Sequence, residues 1–89
     1  MKKAVTQILN SIKTEPHLWS PRKGYSKWNI IGKDRVIIKG IGNTKSLSVL
    51  DVIIDGHGFD ISWWERYQLE KALVNFLNNC DLSLMDTSV

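Results

Sequence analysis

Near the start of the chain the apolar positions fall at Val5, Ile8, Leu9 and Ile12. That spacing puts them on one stripe of a helix. The pattern predicts a helix over residues 2–13, ended ahead of Pro16 because the residue before a proline avoids helical angles. Residues 14–26 hold Pro16, Ser20, Pro21, Gly24 and Ser26 and read as a loop. From Tyr25 the period changes to two. Strands are expected at Tyr25–Gly32, Arg35–Ile41 and Ser46–Asp55, joined by turns at Gly32-Lys33-Asp34 and Gly42-Asn43-Thr44-Lys45. Ser62 and Glu65 then have the spacing of a capping box. A second helix follows over about 63–79, with Leu69, Ala72, Leu73, Phe76, Leu77 and Cys80 as its apolar stripe. The expected architecture is an α+β two-layer sandwich: a three-stranded antiparallel meander with two helices on one face, in the order α-β-β-β-α. Residues 1–80 form the domain and 81–89 a loose tail.

Alternation along the strands assigns their faces. Trp28, Ile30, Val36, Ile38, Leu50, Val52 and Ile54 carry no charge and belong under the helices. Lys27, Asn29, Ile31, Arg35, Ile37, Lys39, Ile41, Leu47, Val49, Asp51 and Ile53 form the opposite face. That face is too apolar for plain solvent exposure, and a contiguous apolar patch marks an interaction site. Ile31, Ile37, Ile41, Val49 and Ile53 are therefore candidate partner-interface residues. Leu82, Leu84 and Met85 of the tail offer a competing cover for the same surface. On the second helix, Trp63, Trp64 and Tyr67 lie off the core stripe and join the candidate interface, since aromatic residues dominate binding hot spots.

Composition narrows the class. Eighty-nine residues make one domain, and 43% hydrophobic with 24% charged residues is ordinary for a globular chain. No apolar run is long enough for a transmembrane helix, and the start lacks the continuous apolar stretch of a secretory signal. With Cys80 as the lone cysteine, an intrachain disulfide is excluded. These features point to a cytoplasmic protein with no membrane partner. The net charge of +3 hides a polarised chain. Residues 1–45 hold ten basic side chains and two acidic ones, whereas residues 46–89 hold two basic and seven acidic. Such asymmetry creates a directional field suited to phosphate or to an acidic surface.

Catalytic signals are thin. His57 sits among Asp55, Gly56, Gly58 and Asp60, a setting for a metal ligand or general base, but its spacing fits no metal template. A metal-dependent hydrolase built on Asp55, His57 and Asp60 is the outsider. His17 has no visible partner, Cys80 reads as a structural thiol, and Gly40-Ile41-Gly42 is no phosphate-binding loop. No enzyme, metal or cofactor is expected. The densest signal is Trp19 through Trp28, where Trp19, Arg22, Lys23, Tyr25 and Lys27 interleave cations with rings. Single-stranded nucleic acid is held that way, cations on phosphates and rings on bases. Lys33, Arg35 and Lys39 extend the basic area, and Lys2 and Lys3 add to it.

The element order over residues 2–79 resembles the double-stranded RNA-binding domain. The resemblance implies RNA recognition by shape and backbone contact. That family opens its second helix with a lysine cluster, where this chain has Asp60-Ile61-Ser62-Trp63-Trp64-Glu65. Its loop between the first two strands offers a histidine motif, where this chain has Gly32-Lys33-Asp34. The likeness is one of topology.

Together these observations lead to a small non-catalytic protein that binds RNA or DNA backbone through its basic half. The alternative is a protein-binding inhibitor or adaptor, of the kind by which a phage or mobile element disables a host nuclease or toxin. The open sheet face admits a protein target or a homodimer.

Overall fold

A computed structural model describes residues 2–80; the expected tail and its Leu82, Leu84 and Met85 lie outside the described residues. Helix α1 spans Lys3–Thr14. A turn of 3-10 helix at Pro16–Leu18 leads into β1, Ser20–Lys23. Then come β2, Lys27–Ile31; β3, Val36–Gly42; β4, Leu47–Ile54; β5, His57–Gly58; and α2, Trp63–Asn78. The class is α+β, as expected, but the antiparallel sheet has five strands in the order β1-β2-β3-β4-β5 rather than three.

Both added strands have a local cause. β1 pairs along β2 from Ser20 opposite Ile31 to Lys23 opposite Trp28. It is an edge strand, which is where a strand tolerates proline, because Pro21 has no N–H to give a neighbour. β5 returns from β4 through Asp55 and Gly56, with His57 opposite Ile54. Both turn residues have positive φ, 53° and 82°. Asp-Gly in that conformation makes a two-residue hairpin whose twist matches the strands.

The core lies on one side of the sheet. Val5, Ile8, Leu9 and Ile12 of α1 and Leu69, Leu73, Phe76 and Leu77 of α2 form a single cluster with Trp28, Ile30, Ile38 and Val52. α2 begins where its sequence indicates: Ser62 Oγ accepts from Glu65 N–H, and the Glu65 carboxylate accepts from Ser62 N–H at 2.8 Å.

Alternation fails along β4. Lys39 pairs with Asp51 and Gly40 with Val49, so Leu50 is an extra residue without a partner. Such a bulge reverses the facing of everything on one side of it. Leu47 and Val49 therefore enter the core, with Val49 only 2% exposed, whereas Leu50 turns outward at 54%. The assignment of Val49 and Leu47 to the open face, and of Leu50 to the covered one, is corrected accordingly. The bulge is held by α2: the Glu70 carboxylate accepts the Val49 N–H at 2.8 Å. Arg66 Nε stands 4.0 Å from the same oxygen.

Candidate nucleic-acid interface

The strand register arranges the open face in rows. Ser20, Ile31, Ile37 and Ile53 make one row; Arg22, Asn29, Lys39 and Asp51 make the next; Lys27 and Ile41 lie beyond. Ile31 and Ile41 are exposed, and Ile37 and Ile53 half-buried. Cationic and apolar groups thus share a surface on the side away from the helices.

Towards one end of this surface the charge is unopposed. The β1–β2 turn is closed by Gly24 N–H donating to Lys27 O at 2.7 Å, and it leaves Tyr25 fully exposed. The β3–β4 turn lies at the same end. There Asn43 Oδ1 accepts from Lys45 N–H at 2.8 Å and Ser46 N–H at 3.0 Å. An asparagine bonding its own downstream backbone stabilises such a turn and presents Lys45 at its tip. The sequence carries no carboxylate from Pro16 to Lys33 or from Arg35 to Leu50. Arg22, Lys23, Lys27 and Lys45 are all exposed at that end, with Lys39 in the Arg22 row opposite Asp51. The Lys23 ammonium lies 5.6 Å from the centre of the Trp28 ring, whose Nε1–H donates to Gly42 O at 3.1 Å.

The opposite end is neutralised within the fold. Lys33 Nζ meets Glu15 Oε2 at 3.1 Å, and Arg35 meets Asp55 Oδ1 at 3.0 Å. Hydrogen bonds from Lys33 and Ser11 hold the Glu15 carboxyl below its ordinary pKa. Lys2 is committed to the start of α2: its N–H donates to Glu65 Oε2 at 2.9 Å, its ammonium donates to Asp60 O, and it covers the Phe59 ring. Lys3 is exposed on α1. The expected basic set therefore divides. Arg22, Lys27 and Lys39 share the open face with Tyr25 at the adjoining turn. Lys23, opposite the buried Trp28, lies on the helix side. Lys2, Lys33 and Arg35 are engaged elsewhere.

Trp19 is a correction. It is 4% exposed, inside the core, and its Nε1–H donates to Ser11 Oγ at 3.0 Å. A ring so placed offers no face to a base. Lys45 is not among the expected contact residues, although the turn signature at Asn43 marks its position.

The three candidate aromatics of α2 are outside. Trp63 is 70% exposed, Trp64 51% and Tyr67 41%. Trp63 and Tyr67 lie at 8° to each other with ring centres 6.1 Å apart, and Trp64 and Tyr67 at 29° and 5.6 Å.

Asp55, His57 and Asp60 do not assemble: among the described residues no three such side chains come close enough to share a metal ion. Burial pushes the Cys80 thiol above its ordinary pKa, the opposite of what a nucleophile requires. No helix among the described residues is long and apolar enough to cross a membrane. In comparisons with family models, curated proteins and solved structures, the chain matches none.

Proposed function

We propose that the protein is a small nucleic-acid-binding module, RNA in the first instance, that performs no chemistry on its ligand. Its contact is the cationic end of the open sheet face, where Arg22, Lys27 and Lys45 take phosphates and Tyr25 takes a base; Lys23 adds charge at the same end from the helix side of the sheet. The observation that carries this reading is the division of the cations. Those at one end have been neutralised by acidic partners, whereas those at the other share a surface with no carboxylate in their turns. Adjacent strands stand ~4.8 Å apart, so Arg22 and Lys39, two strands apart, span roughly 10 Å. One run of backbone can touch both. Filter binding at two salt concentrations tests the reading. Affinity should fall steeply with salt as counterions compete; no retention at low salt would overturn it.

A second reading is favoured by the isoleucine row. Ile31, Ile37 and Ile53 offer nothing to a phosphate and suit a protein partner or a second copy of the chain. Replacing Ile31 and Ile37 by Ser should then abolish a stoichiometric complex. Light scattering that returns the monomer mass, with no partner recovered, speaks against it.

A further inference from the structure

The rings of α2 have no role in the site described above; they lie on the helix side of the sheet and meet that site only at the β3–β4 turn. Trp63, Tyr67 and Lys71 recur every four residues along α2, so they follow one line for ~12 Å of helix. The Lys71 ammonium sits 5.5 Å from the centre of the Tyr67 ring. Tyr67 and Lys71 also line a groove whose other wall is the β3–β4 turn, with Lys45, Ser46 and Leu47; Asn75 and Asn78 close it. The aromatic line therefore ends at the cationic end of the sheet. The carboxylate in that groove, Glu70, is occupied by the Val49 N–H and faces Arg66.

We infer that α2 supplies a stacking platform for unpaired bases, and that the ligand is a single strand. The inference rests on the proposed nucleic-acid reading and adds the strandedness of the ligand and the second half of its path. The backbone leaves Lys27 and Lys45, passes Lys71, and lays successive bases on Tyr67, Trp64 and Trp63. Charge selects this occupant over an apolar partner. Tyr67 is approached through Lys45 and Lys71, whereas Trp63 at the far end shares a pocket with Asp51, Asp60 and Arg66. Trp63 lies at 8° and Trp64 at 29° to the Tyr67 ring. Flat π-faces accept any base, so the platform carries no sequence preference. A duplex keeps its bases stacked on one another and has none to lend.

Intrinsic tryptophan fluorescence tests this directly, with short oligo(dT), oligo(U) and a blunt duplex of equal length as probes. Trp19 and Trp28 are buried, so quenching on titration reports Trp63 and Trp64. Oligo(dT) and oligo(U) should quench the wild-type protein, and the duplex should compete far more weakly, through the phosphate contact alone. Trp64→Ala and Trp63→Ala should each weaken binding about five- to 150-fold, the range for one base–ring stack. Their salt dependence should match that of wild type, since no charge is lost. Trp64→Phe should retain most of the affinity. Binding at low salt without quenching, equal competition by duplex, or Trp→Ala variants that bind like wild type would overturn the platform and leave the cationic contact standing. A dimeric mass without nucleic acid, lost in Trp64→Ala, would assign the rings to a second copy instead. Absence of any binding at low salt removes both the platform and the reading beneath it.

Discussion

The indole N–H of Trp19 donates to the hydroxyl of Ser11 at 3.0 Å, joining the segment ahead of β1 to the inner face of α1. Ser11 is itself buried and its hydroxyl donates to Glu15 Oε2 at 3.1 Å, so the polar chain runs outward from the core to the Lys33 pair. A residue that sequence composition groups with the basic loop is thus a structural anchor. Trp19→Ala should destabilise the protein by about 3–5 kcal/mol, the usual loss for a large buried ring. Ser11→Ala should cost about 1–3 kcal/mol by leaving the indole N–H without an acceptor. Urea denaturation checks both. A Trp19→Ala protein of unchanged stability with reduced nucleic-acid affinity would contradict this placement.

Gly32 exists for the same ring. A Cβ there would stand 2.6 Å from Trp19 carbons. Gly32→Ala should therefore lower stability by about 1–3 kcal/mol through overpacking, seen as a lower urea midpoint with an unchanged slope. Ala at Gly58, where a Cβ meets nothing within 4 Å, should leave the midpoint much closer to wild type.

The start of α2 carries a pH signature. Backbone N–H groups of Ser62 and Lys2 hold the Glu65 carboxyl below its ordinary value of 4.5. A carboxyl depressed in the folded state favours folding fully above its unfolded pKa. That contribution is lost as pH falls through the lower, folded value. Stability should accordingly decline below about pH 4.5, and Glu65→Gln should flatten part of the decline while lowering stability at neutral pH. Ser62→Ala should cost about 1 kcal/mol at neutral pH through the lost cap. Thermal melts across the acid range measure each effect.

Much of this was legible in the chain. The stripe Val5, Ile8, Leu9, Ile12 and the Ser62–Glu65 pair each report a local preference that packing reinforces, so helix limits followed closely. The open face of Ile31, Ile37, Lys27 and Lys39 followed from period alone. What escaped was non-local or changed the period. Pro21 marks loops in general, and only its place at the sheet edge makes it compatible with a strand. Asp55-Gly56 is a hairpin signal, yet β5 is too short to show alternation of its own. The Leu50 bulge shifts facing by one residue, and no pattern in a run of Leu and Val reveals where that shift falls. Glu70, which secures it, lies 21 residues away from Val49. The pairing of Lys33 with Glu15 and of Arg35 with Asp55 is likewise set by turns, not spacing, so the basic half could be counted but not divided.

That division is the claim to test. Arg22→Ala/Lys27→Ala and Lys33→Ala/Arg35→Ala each remove two of the 12 basic side chains, so they alter net charge equally. Fluorescence anisotropy of a labelled single strand, titrated across salt, compares them. The first variant should bind weakly, with its salt slope reduced by about 2, because each lost phosphate contact removes about 1. The second should retain wild-type affinity within about twofold, its cations having belonged to exposed ion pairs worth roughly 0–1 kcal/mol. Equal losses in the two variants would show that net charge alone attracts the strand and would contradict a contact at the cationic end of the sheet.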